Sequence, residues 1–325
     1  MECHHHAEAQ HLRLTSHDRV PQCALHLGLS NGSLSHVSET QSCRASVITS
    51  LNLKGGVGKT HLCWLLASVC QERGHRCLIV DLDQQANITQ SFLPDHSEPT
   101  GIERLFDPMA NVQPRDLIRQ TAYEHIDIIP VTGHFARQDL SQREQWEKHR
   151  LHTALADALA ELLPDYDYIL LDCPPRMSLP SYAALCASDF LIIPLEAADW
   201  GARGTATVRA LLQGVRKFHN PRLKLLGYVV SKFKRVRTFQ VTYLAQIRSI
   251  YGDEAFQTVI PDLSQFERSV DEGIPITLHS PTSHAADIAR QFFDEFAARI
   301  AKEHAGVGSL SSPVRPESRT ATRLG

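Results

Sequence analysis

No uninterrupted apolar run in these 325 residues approaches the 18 or more needed to cross a bilayer as a helix. The opening Met1-Glu2-Cys3-His4-His5-His6 has neither the basic start nor the apolar core of a secretory leader, so a cytoplasmic location is expected and no membrane partner. The eight cysteines form no C-x-x-C pair, which argues against a disulfide framework; most of the later ones sit in apolar stretches and are expected to be small buried hydrophobes. Cys3 with His4, His5, His6 and His11 could hold a metal only adventitiously. No internal repeat is present. The most informative absence is acidic: between Trp200 and Gly252 there is no Asp or Glu, while eleven Lys and Arg occur there. Since the chain carries a net charge of −3, the remainder carries −14. A basic stretch on an acidic protein is the footprint of phosphate-backbone binding.

What is present is an ordinary globular composition, 42% hydrophobic and 21% charged, enough for one large α/β domain with extensions. Residues 1–44 are rich in His, Ser and Gln without sustained periodicity and are expected to be a poorly ordered extension, or an over-long start. Within them, Ala24 to Val37 has the L-G-L-S turn and following apolar spacing of a helix-turn-helix. Pro21, Gly32 and the lack of supporting helices oppose that reading. From 45 to 303 strands and helices alternate. Strands are predicted at 46–51, 77–82, 126–131, 167–172, 189–194, 226–231 and 257–260, and helices at about 59–73, 148–163, 204–219, 239–250 and 283–303. That alternation predicts a mostly parallel sheet with helices on both faces and a ligand at the carboxyl ends of the strands. The tail 304–325 is expected to be disordered.

The chemistry lies in Lys54-Gly55-Gly56-Val57-Gly58-Lys59-Thr60-His61, between the strand Ser46 to Leu51 and a helical stretch marked by Leu62, Leu65, Leu66, Val69 and Cys70. Glycines let successive N–H groups turn inward toward an anion at a helix N-terminus. Lys59 is placed to neutralise β- and γ-phosphates, and the Thr60 hydroxyl to bind Mg²⁺. The order strand, loop, helix makes this a P-loop, P-loop NTPase-like in fold. Two more strands end in aspartates: Val80-Asp81-Leu82-Asp83, with both carboxylates on one side of an extended segment, and Leu171-Asp172-Cys173-Pro174-Pro175.

The loop departs from G-x-x-x-x-G-K-[ST] in having Leu53 where the first glycine belongs, followed by a second lysine, Lys54. In this form the chain resembles the ParA/MinD class of P-loop ATPases, and ParA-type partition ATPases in particular. Asp81-Leu82-Asp83-Gln84-Gln85-Ala86-Asn87 resembles that class's D-x-D-P-Q-x-N with Gln84 in place of proline, and Val259-Ile260-Pro261 with Gly273-Ile274-Pro275-Ile276 resembles its C-terminal V-I-P…G-x-P-I. The resemblance covers nearly all of 45–303. It implies ATP and Mg²⁺ as cofactors and ATP hydrolysis in a homodimer. Lys54 would reach the partner's nucleotide, Asp83 would orient the attacking water, Thr60 and Asp172 would organise the metal, and Asp81 would help fix its water shell. Ser231 and Pro261 would lie beside the adenine. It also implies nonspecific DNA binding on the nucleoid, here through Arg216, Lys217, Lys234, Arg235 and Arg237, and a ParB-type centromere-binding partner. Two other readings share this loop. A MinD-like membrane-cycling ATPase needs a C-terminal amphipathic helix, for which Ser312 to Gly325 offer only Val314 and Leu324. An iron–sulfur or metal-cluster carrier needs inter-subunit cysteine ligands, for which only Cys173 and Cys186 follow the switches.

Overall fold

The computed structural model describes residues 44–95, 100–132, 143–197 and 202–308. The proposed extension, the helix-turn-helix candidate at 24–37 and the tail beyond 308 lie outside the described residues. Seven strands form one sheet in the order β3-β4-β2-β5-β1-β6-β7. They are β1 Ser46–Ser50, β2 Cys77–Asp81, β3 Arg119–Gln120, β4 Ile126–Ile129, β5 Tyr168–Asp172, β6 Phe190–Glu196 and β7 Lys224–Ser231. All pairings are parallel except that of β3 with β4.

The central strands are apolar on both faces because both are covered. Val47, Leu78, Val80, Ile169, Leu171, Leu191 and Ile193 point into one core. Their neighbours Ile48, Cys77, Ile79, Leu170, Phe190 and Ile192 point into the other, the alternation a pleated strand imposes. The first core is closed by α4 (Leu151–Ala160), α5 (Leu179–Ala187), α6 (Ala202–Phe218) and α7 (Thr238–Tyr251), through Leu155, Leu179, Val208 and Ile247. The second is closed by α1 (Lys59–Arg73), α2 (Asn87–Phe92), α8 (Ser264–Asp271) and α10 (His284–Gly308), through Leu65, Ile88, Phe266 and Phe292. Two short helices, α3 (Arg143–Lys148) and α9 (Ile276–His279), complete the set among the described residues. Helix α1 ends at Gly74 in the left-handed region, φ 73°, as its sequence position predicts.

Expectation and structure part in several places, and helices α2, α5, α8 and α9 have no counterpart among the predicted ones. Residues 257–260 are not a strand of the sheet; isolated bridges flank them, Tyr228 to Ala255 and Phe233 to Pro261, and the Ile260 N–H donates to the Val230 carbonyl at 2.8 Å while its carbonyl accepts from the Phe233 N–H at 3.1 Å. The two-residue β3 is too short to show a period in sequence. Helix α10 runs to Gly308, five residues past the expected end of the domain.

Candidate nucleotide site

The sheet register brings three polar strand ends together. Ser50 and Asp81 both pair with Asp172, so β1, β2 and β5 deliver the P-loop and both aspartate loops to one edge of the sheet. Residues 51–58 then cross from β1 to the start of α1. Gly58 adopts φ 92°, and a Cβ on it would stand 3.0 Å from Ser231 Oγ, so conformation and space both require glycine here. The Ser231 hydroxyl donates to the Val57 carbonyl and is fully buried behind the loop. Ser231, expected beside the base, thus gives its hydroxyl to the loop and is not among the residues that line the adjoining cavity.

Lys59 is buried, and its Nζ donates to the Lys54 carbonyl at 3.1 Å, which lays the ammonium across the loop. Burial lowers its pKa, opposed by the nearby Asp172, Cys173 and Asp83. Lys54 points elsewhere. Its N–H donates to Asn52 Oδ1 at 3.0 Å, while Asn52 Nδ2 donates to Pro194 O at 2.8 Å, fixing the loop against β6. Its Nζ forms an ion pair with Glu196 Oε2 at 3.3 Å, and the side chain keeps 40% exposure. Lys54 is thus half-exposed beside Glu196, while Lys59 is buried across its own loop.

The aspartates also divide. Asp81 is fully buried with both carboxylate oxygens engaged: Oδ1 accepts from the Asp83 N–H at 3.0 Å, and Oδ2 from the Thr89 N–H at 3.1 Å and the Thr89 hydroxyl at 2.7 Å. Its hydrogen bonds hold the segment that carries Asp83. Asp172 is equally buried, yet neither oxygen finds a hydrogen bond of ordinary geometry. Burial, reinforced by Asp81, pushes its pKa well up, and the Thr60 hydroxyl acts in the opposite sense. Two orphaned carboxylate oxygens beside a threonine hydroxyl form a hard-oxygen donor set that suits Mg²⁺. Asp83 Oδ1 accepts from the Gln85 N–H at 3.1 Å, leaving Oδ2 as the oxygen without a described protein partner.

A cavity of about 670 Å³ opens over Gly56, Gly58, Lys59 and Thr60 and is bounded by Asp83 and Pro175. Lys232, Pro261, Asp262, Leu263 and Phe266 line the same cavity. His61 also lines it, its ring edge-on to Phe266 at 4.8 Å between centroids. Burial and the Lys232 charge push the His61 pKa down to about 4, so the ring is neutral near pH 7. Sequence reasoning missed Asp262, Leu263 and Phe266 as cavity residues because they lie two hundred positions from the loop.

The basic residues fall at two places in the fold. Lys232, Lys234, Arg235 and Arg237 lie between β7 and α7, at the sheet edge that holds the cavity. Arg216 and Lys217 end α6, a helix of 17 residues and so about 25 Å long that carries the chain from the end of β6 to the opposite edge. The five residues expected to meet DNA therefore come from two edges of the sheet. Acids from outside the stretch also reach in: Arg209 pairs with Glu254 at 3.0 Å, Lys224 with Glu303 at 2.9 Å and Lys234 with Asp262 at 2.8 Å.

Comparisons with known proteins agree with this geometry. The AAA domain family matches residues 45–225. The chromosome-partitioning ATPase Soj of Thermus thermophilus is 33% identical over 252 residues, 77% of this chain and 94% of Soj. A crystal structure of Mycobacterium smegmatis cobyrinic acid a,c-diamide synthase with bound ADP and magnesium is similar at 25% identity and TM-score 0.64, covering 81% of this chain and 96% of the other. An aspartate-to-alanine variant of Cyanothece McdA in complex with ATP shares the fold at 21% identity and TM-score 0.68, covering 79% and 97% of the two chains. No described helix is long and apolar enough to cross a membrane.

Proposed function

Because the chain belongs to the AAA domain family and, within it, to the ParA-type P-loop ATPases, we propose that it is a DNA-partition ATPase: Mg-ATP joins two copies, the dimer binds DNA without sequence preference, and hydrolysis releases it. The observation that carries this reading is the pair of lysines with two roles, Lys59 buried across its own loop and Lys54 turned to the surface beside Glu196. ATP and Mg²⁺ fit the donor set: glycine N–H groups and Lys59 for the phosphates, Thr60 and the orphaned Asp172 carboxylate for the metal, and Lys232, Pro261 and Asp262 around the base end.

Bound Mg-ATP supplies the phosphoryl group; the protein supplies position and charge. Lys59 neutralises phosphate oxygens in its own subunit. Lys54 leaves Glu196 to reach the phosphates of the second copy. Asp83, held by the Asp81 hydrogen bonds and with Oδ2 free of described protein partners, accepts a hydrogen bond from the attacking water and aligns it. For DNA, the cluster Lys232, Lys234, Arg235 and Arg237 is favoured, since it shares an edge with the cavity. The Lys234–Asp262 pair is half-exposed, so it costs little to exchange for a phosphate. A ParB-type centromere-binding protein is the partner this reading implies, and the nucleoid its site of action.

The reading is tested by measuring mass in solution and phosphate release with Mg-ATP. It expects a dimer with ATP, monomer without, and turnover that Lys59→Ala abolishes. Monomer in every nucleotide state would overturn the sandwich-dimer mechanism.

A further inference from the structure

The loop that carries Asp83 is a β-turn. Ala86 N–H donates to Asp83 O at 2.8 Å, and Asp83 Oδ1 accepts from Gln85 N–H at 3.1 Å. Asp83 is therefore the first residue of the turn and Gln84 the second. The second position of such a turn is where proline serves best, because its ring fixes φ near the required value. Gln84 has no such restraint in its backbone, and its N–H has no acceptor among the described residues. A restraint comes from outside the turn: the Gln84 amide faces the Arg176 guanidinium, which can only donate, so the amide is assigned with its oxygen toward it, where it accepts from Nη1 at 3.2 Å and Nη2 at 3.1 Å.

Arg176 is well placed to be an anchor. It follows Pro174 and Pro175, which continue from the Asp172 strand end. Its carbonyl accepts from the Ser181 hydroxyl at 2.8 Å, tying it to the first turn of α5. Pro175 lines the nucleotide cavity and packs 3.9 Å from where a Cβ on Gly55 would stand. One guanidinium thus links the turn holding Asp83 to the segment holding Asp172.

We propose that Arg176 is a positioning residue for hydrolysis, clamping the Asp83 turn through Gln84 and so replacing the backbone restraint that a proline would give. The proposal rests on the ATPase reading above. The clamp acts on the geometry of Asp83 and not on the phosphate cradle, so it affects turnover and leaves nucleotide affinity alone. Proline at 84 makes the guanidinium dispensable.

The experiment compares wild type, Arg176→Ala, Gln84→Pro and the double variant by steady-state ATP turnover and by equilibrium binding of a fluorescent ATP analogue. Arg176→Ala is expected to lower kcat about tenfold, the scale of a lost hydrogen bond to a charged group, with Kd unchanged within about twofold. The double variant is expected to regain turnover near that of Gln84→Pro alone. A double variant as slow as Arg176→Ala, or a Kd that weakens in step with kcat, would overturn the proposal. Absence of turnover in wild type would refute the ATPase reading instead. The clamp is then decided by amide hydrogen exchange: Arg176→Ala must speed exchange at Gln85 and Ala86, whose N–H groups close the turn, and Gln84→Pro must reverse it. Exchange that does not respond to Arg176→Ala overturns the clamp.

Discussion

Asp172→Asn separates the structural cost of the site from its use. Both Asp172 oxygens are buried without a hydrogen bond of ordinary geometry, and an orphaned buried polar group costs about 1–3 kcal/mol, more when charged. Replacing the carboxylate by a neutral amide removes the charged part of that cost, so the metal-free variant is expected to be the more stable by about 1–3 kcal/mol at pH 8. At about 2 °C per kcal/mol for a domain of this size, Tm rises by about 2–6 °C. The pH dependence gives the signature. Burial raises the folded pKa of Asp172 above its unfolded value near 4, so the folded state holds the proton more tightly. The stability this confers is complete below the unfolded pKa and is lost as pH rises through the folded pKa. The advantage of Asp172→Asn must therefore vanish near pH 4 to 5 and grow toward pH 8. With Mg-ATP at about a hundredfold above Kd, wild type gains about 2.7 kcal/mol by mass action, and the variant gains less. Thermal denaturation across pH, with EDTA and then with Mg-ATP, measures both effects. A variant less stable than wild type at pH 8 in EDTA would refute the reasoning.

Other outcomes follow from the same geometry. Lys54→Ala loses only a half-exposed ion pair with Glu196, so its stability should change by less than about 1 kcal/mol, while turnover and ATP-dependent dimerisation fall; unchanged turnover in a phosphate-release assay would remove its role across the dimer. Arg235→Ala with Arg237→Ala should weaken DNA binding and lower the slope of log affinity against log salt by about 2. Arg216→Ala with Lys217→Ala, at the opposite edge of the sheet, should change neither, and an equal loss from both pairs would show that DNA spans both edges. Gly273→Ala puts a methyl group 2.4 Å from the Ser91 carbonyl at φ 64°. It should cost at least about 1–3 kcal/mol in urea denaturation.

Much of this site was legible in the chain because its signals are local. The P-loop, its two lysines and Asp172 lie within or directly after apolar strands, and the parallel sheet follows from alternation of strand and helix. The rest depends on pairs that sequence separates. Ser231 occurs at a strand end, the usual place for a ligand contact, yet its hydroxyl is spent on Val57, 174 positions away. The acid-free stretch from 200 to 252 looks continuous as a string, but α6 carries its first cluster to the far edge of the sheet. Asp81 and Asp172 are both aspartates ending apolar strands; only Thr89 and the Asp83 N–H distinguish the carboxylate that is satisfied from the one that is not. Helix α5 was missed because Leu179–Ala187 is buried along most of its length and shows no polar face.

The most direct test of the central claim is DNA binding by the full chain with Mg-ATP, ADP or no nucleotide, on duplexes of unrelated sequence at two salt concentrations. The account predicts binding only with ATP, equal across sequences and weakened by salt. Binding that ignores the nucleotide, or no binding in any state, would contradict it.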